Sequence, residues 1–318
     1  MPLANSETKT NRMRIVVYAN CWNELRLLPY FIQHYNPFVE RFVILDDGST
    51  DGSIEYLLAQ PKVRLIEANR KGGSYIEQTR VFFNEGWKES RSTADWIITC
   101  NIDEHLYHQD LENYLWRCHQ DGITILPVNG YEMISLAFPS KQERLCDQVR
   151  FGAPTQKLTG PSSMHNKIMA FNPRAIEEID FVAGRHKAHP TGRVVYPEQI
   201  ELQLLHYKFL GLPYAIQRYA ELKTGLSSAD MKSGMGCQYL WEIRTIRRHY
   251  ATVVAAATVV ISAGWLKDSQ LALSFLPLKL VLPFVSLLQK LSPYNWPKAW
   301  RMLLSFRRYL PSALSIYW

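Results

Sequence analysis

The sequence predicts an α/β fold, a mostly parallel twisted sheet flanked by helices, followed by a helical, basic and aromatic C-terminal extension. Three observations predict it. Short runs of β-formers alternate with helical patterns over the first half of the chain. Residues 42–53, FVILDDGSTDGS, end one such run in two adjacent carboxylates, Asp46 and Asp47, ahead of a tight turn and a helix. Residues 95–105 repeat that arrangement, with the run DWIITC leading into Asn101-Ile102-Asp103-Glu104-His105. Ligands bind at the carboxyl ends of parallel strands in open α/β sheets, so both acidic turns stand where a ligand is expected.

Taken in order, residues 14–19 (RIVVYA) read as a first strand, and Asn23-Glu24 opens a helix toward Tyr35. Residues 42–46 form a second strand, with a helix over 54–59. A short third strand covers 63–66, and 74–88 shows helical spacing at Ile76, Val81, Phe82 and Trp87. A fourth strand covers 95–100, a helix 111–119 and a fifth strand 123–128 (ITILPV). From 131 to 180 the pattern is less regular, mixing loops with short strands such as 167–171. Residues 200–209 are apolar, and 238–260 make a strong helical run. Boundaries are expected near residues 130 and 265.

At 318 residues and 47% hydrophobic, the chain can build one large core or two modest ones. The five cysteines, at positions 21, 100, 118, 146 and 237, form no CxxC pair, which predicts reduced thiols and a cytoplasmic setting. The first thirteen residues are polar and carry no secretory signal pattern.

The net charge of +7 is uneven: seven basic residues face one acid from 265 to 318, so +6 lies there, together with four of the nine tryptophans. That segment is mostly Leu, Phe and Pro, which suits a bilayer interface better than nucleic acid. No nucleic-acid partner is expected, and peripheral contact with an anionic membrane surface is, through Trp296, Trp300, Arg301, Phe306, Arg307 and Arg308. The apolar run 251–266 is sixteen residues long, shorter than the roughly 20 a spanning helix needs.

Neighbouring carboxylates repel, so a cation, a sugar hydroxyl or a base N–H is needed to compensate Asp46 and Asp47. The plainer reading is a polar turn in which Ser49 or Asp51 caps a helix. Two acidic turns on neighbouring strands would converge on one crevice, where Mg²⁺ or Mn²⁺ would bind a few carboxylates and phosphate oxygens.

Asn23-Glu24, the DDGSTDGS run, the Gly72-Gly73 turn leading to Arg80, and NIDEH together resemble the glycosyltransferase family 2 pattern on a GT-A fold, over roughly residues 13–210. Residues 233–241 (SGMGCQYLW) are similar to bacterial members with a DEF-like acidic motif. The resemblance implies a GT-A domain over 13–264, with a nucleotide-binding half to about 130 and an acceptor half over 131–264, then the extension 265–318. It implies a metal-dependent enzyme that moves a sugar from a nucleotide-sugar donor to a polysaccharide or lipid-linked acceptor; the basic tail predicts a cytoplasmic protein attached peripherally to the inner membrane face.

Residue by residue, it implies that Asn23, Glu24, Asp46, Asp47, Arg80 and Asn101 serve the nucleotide-sugar. Asp103 and Glu104 would hold the metal that bridges the donor diphosphate. Asn101 stands where the family has the first acid of its DxD motif, so one ligand is neutral. His206, in LLHYK, is a further metal or diphosphate ligand or else a satisfied, part-buried histidine. His165 and Lys167 face acceptor or phosphates, or take a plain surface role.

An inverting enzyme needs a carboxylate as general base. In the resembling family it follows the acidic motif at a distance, where this chain has Asp180, Glu198 and Glu201; Glu198, after Tyr196-Pro197, is the choice, against a solvated loop Glu. Two rival readings stand beside this one. A nucleotidyltransferase would use the same acidic crevice, but the loop 19–23 (ANCWN) lacks the glycines its phosphates need. A catalytically silent sugar-binding protein would explain Asn101.

Overall fold

Strand β1 (Ile15–Cys21) is buried on both faces, which is why it reads as a continuous apolar run rather than an alternating one. It lies at the centre of the fold. In this computed structural model, which describes residues 12–68, 73–140, 143–234 and 236–262, the chain then adds α1 (Leu28–Tyr35), β2 (Arg41–Asp46), α2 (Ser53–Leu58), β3 (Val63–Glu67) and α3 (Tyr75–Glu85). It continues through β4 (Trp96–Asn101), β5 (Glu104–Tyr107), α4 (Leu111–Gln120), β6 (Ile125–Pro127) and β7 (Asn129–Ser135). There follow α5 (Leu145–Gln148), β8 (Phe151–Pro154), β9 (Ile168–Phe171), β10 (Gln203–Leu210), α6 (Leu212–Gly225), α7 (Ser228–Ser233), α8 (Ile243–Ala256) and β11 (Thr258–Val259).

Six strands form one sheet in the order β3-β2-β1-β4-β9-β6, with β3, β2, β1 and β4 parallel and β9 antiparallel to both its neighbours. Helices α1 and α4 bury Phe31, Tyr35, Tyr114 and Leu115 against one face. Phe82 and Phe83 of α3, with Trp87, cover the other. The mixed α/β class with a mostly parallel sheet is therefore as expected.

The chain runs from β1 outward to β3, then returns to β4 on the far side of β1. The strand order reverses between β1 and β4, and ligands bind outside the carboxyl ends of the strands at such a reversal in open α/β sheets. A second, five-stranded sheet, β11-β8-β7-β10-β5, stands beside it and packs on α6 and α8 through Phe209, Tyr219, Tyr250 and Val253.

Four details differ from the sequence reading. Helix α1 starts at Leu28, not at Asn23, because the second strand's turn claims the backbone N–H groups of 23–25: Asn23 N donates to Ser49 Oγ at 2.8 Å, Glu24 N to Ser53 Oγ at 3.0 Å and Leu25 N to Asp51 Oδ2 at 3.0 Å. The two acidic turns do not sit on neighbouring strands, since β1 lies between β2 and β4. Residues 104–107 are a strand rather than a turn, pairing antiparallel with β10. The helical run of 238–260 contracts to α8, which buries Ile246, Tyr250, Val253 and Val254.

Residues 265–318, and with them the expected membrane-facing tail, lie outside the described residues, as does Gly72. Among the described residues no helix is long and apolar enough to cross a membrane. All five cysteines are free, four of them buried.

One packing feature predicts acid lability. His34 and His105 stack 4.5 Å apart in the core, and neither ring nitrogen of His105 has a hydrogen-bond partner. Burial drives His34 down to about 4 and His105 well below its ordinary range. A histidine depressed in the folded state lets the unfolded chain bind more protons, so stability falls as pH drops from about 6.5 toward 4, by up to about 1.4 kcal/mol per unit for each. Thermal unfolding across that range is expected to show the loss, and His105→Leu to flatten it; an unchanged slope in the variant would assign the loss to other groups.

Candidate active site

The candidate site gathers the ends of β1, β2 and β4, and β10 and β7 of the second sheet reach it through His206 and Glu132. In the first acidic turn, Gly48 takes φ +78° and Gly52 φ +93°, the left-handed conformation such a turn requires. Asp46 is turned back into it. Its Oδ1 accepts from Gly48 N at 2.9 Å and Ser49 N at 2.8 Å, and its Oδ2 from Ser49 Oγ at 2.6 Å. Asn23 Oδ1 accepts from Thr50 N at 2.7 Å. The polar side chains of the DDGSTDGS run thus lock the loop after β1 in place, and both oxygens of Asp46 are committed to that work. Asp47 lies near Tyr75, whose phenol is raised first by burial and then by that carboxylate; Asn20 donates to the same phenol. Of the pair expected to serve a nucleotide, Asp46 is thus committed to its own turn, and Asp47 lies beside Tyr75.

The second acidic turn splits its two carboxylates between different tasks. Glu104 is buried, with Lys167 Nζ at 2.5 Å and Arg185 Nη2 at 2.6 Å. Burial would raise its pKa, but Lys167 and Arg185 hold it well below the usual carboxylate range. Asn101 completes this knot, with Oδ1 accepting from Arg185 at 3.0 Å and its backbone N–H donating to Glu104 at 3.0 Å. Arg185 itself has φ +57°, follows Gly184, and also donates to the Thr99 carbonyl at 2.7 Å. Lys167, for which a surface role was one expectation, is buried.

Asp103 is different. Its side chain keeps 20% of its surface exposed, and its carboxylate accepts from His206 Nε2 at 3.1 Å. His206 donates through Nδ1 to Glu132 Oε2 at 2.8 Å and stacks on His165, 4.3 Å away. Glu132 faces His206 directly in the β7–β10 register, and Glu104 faces it in the β5–β10 register, so three adjacent strands deliver the row. His165 fits because residue 130 is glycine: a Cβ there would meet the His165 Cβ at 2.5 Å. Burial would lower the His206 pKa, but Glu132 and then Asp103 push it up to about 10. Glu132 falls to about 2 and Asp103 is lowered; in each case burial acts the other way and the imidazolium of His206 outweighs it.

At the end of β1, Glu24 accepts from Arg218 of α6, which also donates to the carbonyls of Asn23 at 2.9 Å and Trp22 at 3.1 Å. Burial raises Glu24 to about 7 against the pull of Arg218, and Asp103 across the crevice adds to the rise.

Two expected site residues stand apart. Arg80 lies on the outer surface of α3, paired with Glu77 of the same helix at 2.6 Å, because its position on the helix points it to solvent. Glu198 is exposed on the loop before β10 and forms no hydrogen bond or ion pair with Asp103 or His206. Sequence reasoning missed Glu132, Arg185 and Arg218. Glu132 carried a faint signal, a charge inside a β-former run (YEMIS); Arg185 and Arg218 carried none.

Glu104, His165 and His206 each bring one ligand atom within 4.8 Å of the others, so the described residues contain a group able to hold a metal ion. Charge and hydrogen bonding favour Asp103 over Glu104 as the carboxylate of such a site. Glu104 is already neutralised by two buried cations, whereas Asp103 is partly open and its side-chain partner among the described residues is an imidazole. Glu132 fixes that imidazole through Nδ1–H, the outer carboxylate that metal-binding histidines ordinarily have. A metal would take the place of the Nε2 proton, so its binding releases a proton.

Fold and site together define an α/β protein with a carboxylate–histidine–carboxylate row near the switch point of its parallel sheet. No protein-family model matches the chain, and no curated protein matches it. Solved structures do match. The crystal structure of S. aureus TarS 1-349 is similar with a TM-score of 0.34 and 11% identity, over 76% of this chain and 70% of that one. A likeness that distant carries no argument about activity.

Proposed function

We propose that the protein is a metal-dependent glycosyltransferase of GT-A type, moving a sugar from a nucleotide-sugar donor to a polysaccharide or lipid-linked acceptor. One observation carries the reading: Asp103 and His206, with Glu132 behind them, stand at the carboxyl end of β4 beside β1, where the strand order reverses. Asp103 and His206 would hold Mn²⁺ or Mg²⁺, which when bound offsets the negative charge that develops on the departing nucleoside diphosphate. Glu104, Lys167, Arg185 and Asn101 would hold the turn that carries Asp103 to His206. Asp47 and Tyr75, at the end of β2 and the start of α3, take the nucleoside side, on a loop that Asp46 and Asn23 keep in shape.

The acceptor hydroxyl must lose a proton. Glu198 serves as its base only if the acceptor itself bridges from the exposed loop to Asp103. The extension 265–318 would bring the enzyme to anionic lipid, on the strength of its charge and tryptophans. Asn101 does not require a silent binding protein, because its side chain has a structural job between Arg185 and Glu104.

The test is a thermal-shift panel of UDP-, GDP- and other nucleotide-sugars, with and without Mn²⁺. A ligand at about a hundred times its Kd adds about 2.7 kcal/mol, or roughly 5–10 °C in Tm. One nucleotide-sugar is expected to give that shift in a Mn²⁺-dependent way, and Asp47→Asn to reduce it. No shift with any donor would overturn the reading.

A further inference from the structure

Helix α8 buries one stripe and shows another to solvent. Ile246, Tyr250, Val253 and Val254 pack on the second sheet and α6, with Tyr250 Oη donating to the Ser135 carbonyl at 2.8 Å. Arg244, Arg247 and Arg248 are exposed away from that stripe, and none of their guanidinium groups has a hydrogen bond or ion pair among the described residues. Spacing puts them on one face: Arg244 and Arg248 are four residues apart on the helix, as are Ile243 and Arg247. Ile243 is 53% exposed, and Leu240, just before the helix, is 45% exposed.

This face does not serve the helix it lies on. Arg244 stands in the first turn, where a cation opposes the positive end of the helix dipole, and that turn has no acid to offset it. Arg244 and Arg248 repel each other as like charges at i and i+4. Glu242, the N-cap residue, makes no side-chain cap hydrogen bond. Unpaired charge that costs the helix stability, beside two large apolar side chains open to water, fits a surface whose partner lies outside the fold.

We infer that the outer face of α8 is a docking surface for an anionic lipid bilayer, with the arginines on its headgroups and Leu240 and Ile243 at the acyl boundary. Arginine stems lie along apolar matter while their guanidinium groups bind phosphate oxygens. Basic residues with aliphatic side chains beside them are what the headgroup region takes up. Nucleic acid would meet the same charges but leave Leu240 and Ile243 without a partner. The chain beyond α8 also runs, from residue 265, into the sequence that holds +6 of net charge and four tryptophans. The basic face is therefore continuous along the chain with the part best suited to a bilayer, and forms a second contact within the described fold.

The inference goes beyond the glycosyltransferase reading and does not need it. The two meet at His249, on the flank of α8, which hydrogen-bonds Ser162 Oγ at 2.9 Å. The Ser162 carbonyl lies 3.3 Å from His165 Nδ1, and the His165 ring stacks on His206. A bilayer on α8 would stand one helix away from the contacts that lead to His206, on the side from which a lipid-linked acceptor could be delivered.

Co-sedimentation of the full chain with vesicles of phosphatidylcholine, alone or mixed with phosphatidylglycerol, tests it. The wild-type chain is expected to bind the mixed vesicles and to leave them as salt screens the charge. The folded triple variant Arg244→Gln, Arg247→Gln, Arg248→Gln should bind about 100-fold more weakly, because each basic side chain near an anionic surface contributes about fivefold. The matching triple lysine variant should stay close to wild type. Leu240→Ser with Ile243→Ser should lose about tenfold, the scale of two half-exposed aliphatic side chains taken out of water.

If the triple glutamine variant is folded and binds as wild type does, the inference falls, and residues 265–318 alone are left to make the membrane contact. If that variant does not fold, wild-type binding by a folded Arg247→Glu overturns the inference instead. If the wild-type chain binds neither kind of vesicle, both membrane contacts fall and the glycosyltransferase reading stands. A duplex oligonucleotide that binds through the same arginines while mixed vesicles do not would assign the face to nucleic acid and overturn the inference.

Discussion

Asp103→Ala is expected to cut sugar transfer by about a thousandfold or more while the protein stays folded. The size follows from the several kcal/mol of charge stabilisation that a metal Lewis acid supplies at a leaving diphosphate. The intact fold follows from the surroundings. Asp103 is partly exposed, and its carboxylate accepts one side-chain hydrogen bond, from His206, which keeps its bond to Glu132 when Asp103 is removed. Turnover of the preferred donor in Mn²⁺, with circular dichroism and Tm on the same sample, checks both halves. A folded variant that turns over at the wild-type rate would remove Asp103 from the metal.

Glu104→Gln, one residue along, is expected to do the opposite: to cost stability first. The substitution keeps the shape of the side chain and deletes its charge, leaving Lys167 and Arg185 buried without a counter-ion. Removing one member of a buried ion pair costs about 3–5 kcal/mol, or roughly 10 °C in Tm for a domain of this size. The pair Glu104→Gln with Lys167→Met should recover part of that loss, because the double variant buries one uncompensated charge fewer. Sign and pH agree. Glu104 is depressed in the folded state, so its contribution is complete above the ordinary glutamate pKa and fades as pH falls toward its folded value. If Glu104→Gln melts with wild type and loses only turnover, Glu104 is a metal ligand, as its place in the NIDEH motif suggested.

These two residues show how far the motif could be read. In the sequence Asp103 and Glu104 are equivalent acids at the end of one strand. What separates them is the burial and charge of groups far away in the chain: Lys167 and Arg185 at Glu104, His206 at Asp103. Asp46 and Asp47 differ for a nearer reason. Asp46 folds back onto Gly48 and Ser49 within its own turn. The DG turn chemistry was visible in the sequence as the plainer reading, but which of the two aspartates it would consume was not. Arg80 pairs with Glu77 of its own helix, and a helical position adjacent to a motif does not say which way the side chain faces.

The sequence alone determined the class of fold, the succession of strands and helices in the first half, and the two acidic turns with their place at strand ends. Those features depend on local periods and turn residues, which act within a few positions of one another. The tertiary structure decided which carboxylates are neutralised, that His206 is an imidazolium between Glu132 and Asp103, and that Lys208 lies over two tyrosine rings. Each of these turns on desolvation and on side chains delivered by β7, β10, α6 and the segments on either side of β9. Electrostatic energy depends on distance and burial in space, which the spacing of residues along a chain does not encode.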